Sequence, residues 1–129
     1  MKNWHRQIIR ECKELLKLPE GWDSYKAKRI EADAVLAAIE VLLEIMSDDA
    51  EIPSVVPLND GGVQLEWHPG GYDLEIVCRP GKEPVFFYEH RGKEMEGLVA
   101  GNRVHDALRG IIRDVYRPLI PHAREVSHH

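Results

Sequence analysis

Apolar residues recur at helical spacing along the first 50 positions of the chain. The pattern over residues 3–18 predicts an amphipathic helix with Lys and Arg on its outer side. Its apolar stripe consists of Trp4, Ile8, Cys12 and Leu15. A second pattern, over residues 31–48, is apolar around so wide an arc that this helix should pack on both the first helix and a sheet. Pro19 and Gly21 predict a turn between the helices, with Trp22 folded back on the core.

From residue 53 to residue 90 the hydrophobic period changes from 3.6 to 2, which is typical of strands. The four strand-like runs are SVVPL (54–58), VQLEWHP (63–69), YDLEIVCR (72–79) and PVFFYEH (84–90). They are separated by NDGG, GG and PGKE, which are hairpin turn signals. The pattern therefore predicts an antiparallel meander of four strands.

Turn lengths predict how the strands pair. Two-residue turns at Asp60-Gly61 and Gly70-Gly71 place apolar residues opposite apolar residues, whereas a shift by one residue would oppose them to polar ones. The predicted pairs are Leu58–Val63, Val56–Leu65, Trp67–Leu74, Leu65–Ile76 and Val63–Cys78. A four-residue loop at 80–83 would pair Cys78 with Val85 and Ile76 with Phe87. A loop with an odd number of residues would instead invert the faces of the last strand, and this hairpin stays open.

The C-terminal third is less regular. Residues 91–101 are compatible with a loop or with a short edge strand around Leu98. Residues 102–117 predict a third helix with Asn102 as its N-cap. The fold class expected is α+β, a four-stranded antiparallel β-meander with helices packed on one face, in the order α-α-β-β-β-β-α. Residues 1–120 should form one domain, followed by a flexible tail over 121–129.

Composition excludes several classes of protein. The chain has 129 residues, of which 43% are hydrophobic and 30% charged, as in an ordinary globular domain and unlike collagen-like or disordered chains. It contains no apolar run of membrane-spanning length and does not begin with a secretory signal, so we expect a cytoplasmic location. Its two cysteines, Cys12 and Cys78, have no zinc-site spacing and should stay reduced in the core.

The charge is distributed unevenly. The formal net charge is −5, which argues against general nucleic-acid binding. Residues 31–75 contain eleven Asp or Glu and no Lys or Arg. Such a segment either solvates one helix and one sheet face or forms a surface that attracts cations.

Many of the acidic, histidine and aromatic residues lie on the predicted outer face of the sheet, which the helices leave uncovered. In the predicted register this face carries Val55, Gln64, Glu66, His68, Asp73, Glu75, Val77, Phe86, Tyr88 and His90. Glu66 lies opposite Glu75, and directly opposed like charges destabilise a sheet. Asp73 lies opposite His68.

Three interpretations of this face remain open. They are an ordinary solvated surface, a protein-binding surface, and a metal or acid–base site made of Glu66, Glu75, His68, Asp73 and His90. The binding surface would comprise Gln64, Glu66, His68, Asp73, Glu75, Phe86, Tyr88 and His90, with Phe86 and Tyr88 as anchors. Catalytic sites favour concave pockets, and the familiar nucleotide-, metal- and nucleophile-binding motifs are absent. We therefore assign no catalytic residue, cofactor or metal, and no membrane or nucleic-acid partner.

Two stretches resemble a group of small, mostly uncharacterised prokaryotic proteins with the pattern GWDxYxA, a helix, PxVxPxxDGGxQxEW and an LEI strand. The first stretch matches at Gly21, Trp22, Asp23, Tyr25 and Ala27. The second matches at Pro53, Val55, Pro57, Asp60, Gly61, Gly62, Gln64, Glu66, Trp67, Leu74, Glu75 and Ile76. The match covers about 20–78 and departs at Lys28-Arg29, where such proteins often have proline. The resemblance implies a cytoplasmic prokaryotic protein, often encoded in mobile or defence-rich surroundings, and brings no established activity.

Together these features predict a small acidic interaction module that inhibits or neutralises a basic protein, in the manner of an antitoxin or an anti-defence inhibitor. The alternative is a metal-dependent hydrolase or nuclease-like enzyme that uses the carboxylate and histidine cluster. Calorimetry with Mn²⁺, Mg²⁺ and Zn²⁺ distinguishes the two, because micromolar binding abolished by Glu66→Gln would favour the enzyme.

Overall fold

The computed structural model describes residues 3–48, 50–68, 71–113 and 124–125. The elements are α1 (Asn3–Leu16), α2 (Ala32–Ile45), β1 (Ser54–Pro57), β2 (Val63–Trp67), β3 (Tyr72–Cys78), β4 (Val85–His90), β5 (Lys93–Leu98), α3 (Asn102–Ile112) and β6 (Arg124–Glu125). The strands form one antiparallel sheet in sequence order. This confirms the predicted α+β class, with six strands over the described residues instead of four.

Both additional strands lie C-terminal to the predicted meander. Strand β5 occupies the segment for which a loop or an edge strand was predicted. It follows β4 through Arg91 and Gly92, whose φ angles of 52° and 80° are those of a type I′ hairpin turn. Strand β6 pairs with Met95 and Glu96 and lies within the predicted tail. The rest of 121–129, and residues 114–117 of the predicted third helix, lie outside the described residues.

The three helices bury apolar stripes in one core with the inner face of the sheet. In α1 the buried residues include Trp4, Ile8 and Cys12, as their spacing predicts. Gly101, not Asn102, is the N-cap of α3, because its carbonyl accepts the first helical hydrogen bond from His105 N. None of the helices in the described ranges is long and apolar enough to cross a bilayer.

Both cysteines are free and buried, as predicted. Burial raises the pKa of the Cys78 thiol to about 12 and also raises that of Cys12. Both thiols therefore stay protonated at neutral pH and pack as small apolar groups.

The register predicted for the central hairpin is confirmed. Val63 pairs with Cys78, Leu65 with Ile76 and Trp67 with Leu74. These six side chains are all buried. The alternate residues of β2 and β3 therefore face away from the helices, on the surface that we call the outer face.

The register predicted for the first hairpin is wrong by one residue, and the sequence leaves the hairpin after β3 open between two registers. In the first, Pro57 rather than Leu58 pairs with Val63, because the connection closes between Leu58 N and Gly62 O and takes in residues 58–62. Val55 consequently pairs with Leu65 and packs against the core instead of lying on the outer face.

In the hairpin after β3, Val77 pairs with Val85 and Ile76 with Phe86. The connection holds seven residues, 78–84, so the open alternative of an odd loop is the one observed. It inverts the faces predicted for every residue of β4.

Candidate functional site

The structure brings together five of the eight predicted site residues on the outer face and turns the other three away. Gln64, Glu66, His68, Asp73 and Glu75 form one hydrogen-bonded network. The placement of Phe86, Tyr88 and His90 on this face is wrong. Phe86 is completely buried, Tyr88 is 7% exposed, and the Tyr88 ring stacks against that of His90 on the inner face.

Gln64 separates the two opposed carboxylates. Glu66 and Glu75 are cross-strand neighbours, as predicted. The Gln64 amide Nε2 donates to Glu66 Oε1 at 2.7 Å and to Glu75 Oε2 at 3.0 Å. The two N–H groups of one amide therefore offset a repulsion that sequence reasoning left unrelieved.

His68 lies between two further acceptors. Its Nδ1 is 2.7 Å from Asp73 Oδ1, and its Nε2 is 3.2 Å from Glu66 Oε2. Only an imidazolium can donate from both ring nitrogens, so this geometry favours the charged form. The hydrogen bonds to Asp73 and then to Glu66 raise the pKa of His68.

Replacing the bridging amide should lower stability. Gln64→Met keeps the length of the side chain but removes both donors, and we expect a loss of about 1–2 kcal/mol in the free energy of unfolding. Glu75→Gln alone should be nearly neutral, because an amide oxygen still accepts the bond and one of the opposed charges disappears. The measurement is urea denaturation of the four proteins in the Gln64→Met, Glu75→Gln double-mutant cycle.

In the Gln64→Met background, Glu75→Gln should be stabilising, because the repulsion is then unrelieved. Strict additivity of the two substitutions would contradict a bridging role for Gln64.

The histidine should make stability depend on pH. Because the folded pKa of His68 is raised, its contribution is complete below the unfolded value of about 6.5 and is lost as pH rises through the folded value. The side chain is 49% exposed, so solvent screening keeps this contribution below about 1 kcal/mol. The stability difference between the native protein and His68→Gln should therefore be larger at about pH 6 than at about pH 9.

Ring-nitrogen NMR titration, with the His68→Gln spectrum assigning the signal, checks the pKa directly. A midpoint at or below about 6.5 would contradict the charged, doubly bonded imidazolium.

The inverted β4 adds acidic and aromatic residues that sequence reasoning missed. The register places Phe87 beside Glu75 and Glu96, and Glu89 beside Asp73 and Glu94. Phe87 is 39% exposed. Asp73, Glu75, Phe87, Glu89 and Glu94 line a shallow depression of about 460 Å³.

The outer face of β2–β5 thus carries six carboxylates, those of Glu66, Asp73, Glu75, Glu89, Glu94 and Glu96. No Lys or Arg of these four strands alternates onto it, whereas the register of β6 places Arg124 opposite Glu96. Even so, the described residues include no group of three or more His, Cys, Asp or Glu arranged to hold a metal ion.

The GWDxYxA stretch and the PxVxPxxDGGxQxEW stretch contact each other in space. Asp23 Oδ1 accepts bonds from the backbone N–H groups of Tyr25 and Ala27 and shapes the loop. Lys28 N then donates to Asn59 O, and Glu31 N donates to Gly61 O, which fixes this loop on the β1–β2 turn.

Trp22 supports the same loop by donating its Nε1 to Lys28 O at 3.1 Å. It is partly exposed and lies outside the buried core, which corrects the expectation that it folds back there. Trp22 therefore stabilises the loop between α1 and α2.

No protein-family model, curated protein or solved structure matches this chain.

Proposed function

We propose that this chain is a small protein-interaction module that binds a basic segment of a partner protein on its outer face. The observation that carries the proposal is the ring of carboxylates around half-exposed Phe87, on a face to which β2–β5 contribute no Lys or Arg. Like charges on neighbouring strands, such as the paired Glu89 and Glu94, destabilise the sheet, and a basic partner would relieve that repulsion.

The depression around Phe87 suits a Lys or Arg side chain. The aromatic ring supports the aliphatic stem and attracts the cationic head through its π-face. Glu75, Glu89 and Glu94 stand around the same depression and supply acceptors for that head. His68 compensates part of the charge of Asp73 and Glu66, so we place the binding centre nearer to Phe87 than to His68.

The resemblance adds only a context to this proposal, namely a cytoplasmic prokaryotic protein often encoded in mobile or defence-rich surroundings. Within that context, the small size and the acidic face lead us to propose that the chain neutralises a toxin or inhibits a defence protein. A basic partner such as a nucleic-acid-binding toxin would present the complementary charge. The metal-dependent enzyme interpretation has no supporting arrangement among the described residues. Calorimetry of the untagged protein with Mn²⁺, Mg²⁺ and Zn²⁺ tests it independently.

Two variants of the outer face should weaken partner binding. The partner is first co-purified from native cells and identified by mass spectrometry, and its affinity is then measured by calorimetry at low and high salt. Phe87→Ala and the pair Glu89→Gln with Glu94→Gln should each weaken binding about tenfold. Raising the salt should weaken binding of the native protein as well, because the charges are exposed.

The matched control is Glu20→Gln with Glu83→Gln, which removes the same charge from exposed positions off the outer face. It should change the affinity less than about twofold, because distant exposed charges are screened. Equal losses of affinity in the face variants and in the control would show that net charge alone, and not the outer face, determines binding. Binding unaffected by any face variant would overturn the proposal.

A further inference from the structure

An exposed apolar strip runs along the outer side of α1 and α2, on the side of the molecule opposite to the outer face. Leu36 and Leu43 of α2 are 56% and 59% exposed, and Ile9 and Leu16 of α1 are each 38% exposed. Ile39 joins them, since Ile9, Ile39 and Leu43 line one small depression between the helices. Contiguous apolar surface of this kind marks an interaction site.

Opposite charges flank this strip. On the α1 side, farther around the helix axis from α2 than Ile9, lie the exposed basic residues Arg6, Arg10, Lys13 and Lys17. On the α2 side, beyond Leu36 and Leu43, lie the exposed acidic residues Asp33, Glu40 and Glu44. Over the described ranges no ion pair joins the two charged rows, because the apolar strip separates them.

A surface ordered basic, apolar and acidic is complementary to itself. A two-fold axis along the strip places apolar residues on apolar residues and brings the basic row of each copy to the acidic row of the other. We propose that the occupant of this strip is a second copy of the chain and that the protein forms a two-fold dimer through α1 and α2. The dimer would direct its two outer faces away from each other, so each stays accessible.

The size of the patch predicts the strength of the dimer. Each helix has 14 residues, so the two helices present a surface about 21 Å long and about 20 Å wide. Its area of about 400 Å² in projection on each copy, or about 800 Å² for the two copies, is below the range of stable specific interfaces and fits a weak, transient one. We therefore expect a dissociation constant in the micromolar range and a concentration-dependent mass.

Sedimentation of the full chain from about 1 µM to about 1 mM brackets that range and tests the dimer. The expected result is a shift from the 14.8-kDa monomer toward twice that mass. Leu43→Glu should weaken association at least about 100-fold by burying a charge within the strip. The control is Leu98→Glu, which changes a residue of similar exposure (55%) on the sheet and should have less than about a twofold effect.

A charge exchange identifies the partner as a second copy and does not depend on Leu43. Arg10→Glu and Glu40→Arg should each weaken self-association about tenfold, because each places like charges in both symmetric contacts. An equimolar mixture of these two variants should associate again, because each variant then supplies the charge that the other lacks.

Three results would each overturn the dimer. They are a monomer at every concentration, equal effects of Leu43→Glu and Leu98→Glu, and a mixture that associates no better than either variant alone.

Discussion

Gly62→Ala is expected to lower the free energy of unfolding by about 3 kcal/mol or more, although it adds only one methyl group. A Cβ at this position would lie 2.6 Å from the backbone oxygen of Cys78 and 3.3 Å from Arg79 Cα. Backbone atoms cannot rotate away as a side chain can, so β2 and β3 would have to separate at the start of their ladder. The Gly62 bonds to Asp60 and Leu58, which close the turn, would be strained by the same movement.

The control for this substitution is Gly81→Ala. Gly81 has a φ of +70° but nothing within 4 Å of an added Cβ, so its replacement tests backbone strain without a clash. That strain costs about 1–2 kcal/mol. Urea denaturation followed by circular dichroism should therefore rank Gly62→Ala as the more damaging change. The reverse order would contradict the close approach of β2 and β3.

Sequence reasoning identified the elements more reliably than the strand pairing. In the central hairpin the register is decided by chemistry, because a shift would oppose Leu65 and Trp67 to polar residues. The first hairpin lacks this constraint, since Val55 and Val56 are both apolar and either can face the core. The length of the turn decides the register, because Gly62 belongs to the loop through its hydrogen bonds with Leu58 and Asp60.

The same ambiguity explains the misplaced half of the candidate site. Phe86 and Phe87 are adjacent, so either register of β4 turns one aromatic ring inward. Glu89 was missed because the wrong register turns it inward. Glu94 and Glu96 were missed because β5 has few apolar residues and resembles a loop. The Arg91-Gly92 turn was the available signal, since a two-residue turn between alternating segments indicates a hairpin.

The hydrogen-bonded half of the site was placed correctly because it lies on the well-determined hairpin. Glu66, Glu75, His68 and Asp73 follow from the β2–β3 register alone. The bridging role of Gln64 did not follow, because the donors of an amide are directed by a side-chain rotamer, which the alternation of a strand does not determine. Cross-strand pairing thus predicts which residues meet, but not how their polar atoms pair.

Trp67→Ala should cost about 3–5 kcal/mol, a large share of the stability of a domain of this size. The Trp67 side chain is 1% exposed, and its indole Nε1 donates to Glu51 O at 2.8 Å. Glu51 N in turn donates to Ile112 O at the end of α3. Removing the indole would therefore empty a core site and free the segment that connects α2 to the sheet.

Trp67→Phe separates the two contributions, because it keeps most of the buried ring and loses only the hydrogen bond, at about 1–2 kcal/mol. Since Trp67 faces the core between Glu66 and His68, which face outward, Trp67→Phe should leave partner binding unchanged at temperatures where the protein is folded. Phe87→Ala should show the opposite behaviour, with weaker binding and a smaller loss of stability, because its ring is half-exposed. Thermal melts and calorimetry on the two variants make the comparison. Reduced binding by folded Trp67→Phe would contradict the division of β2 into a core side and a binding side.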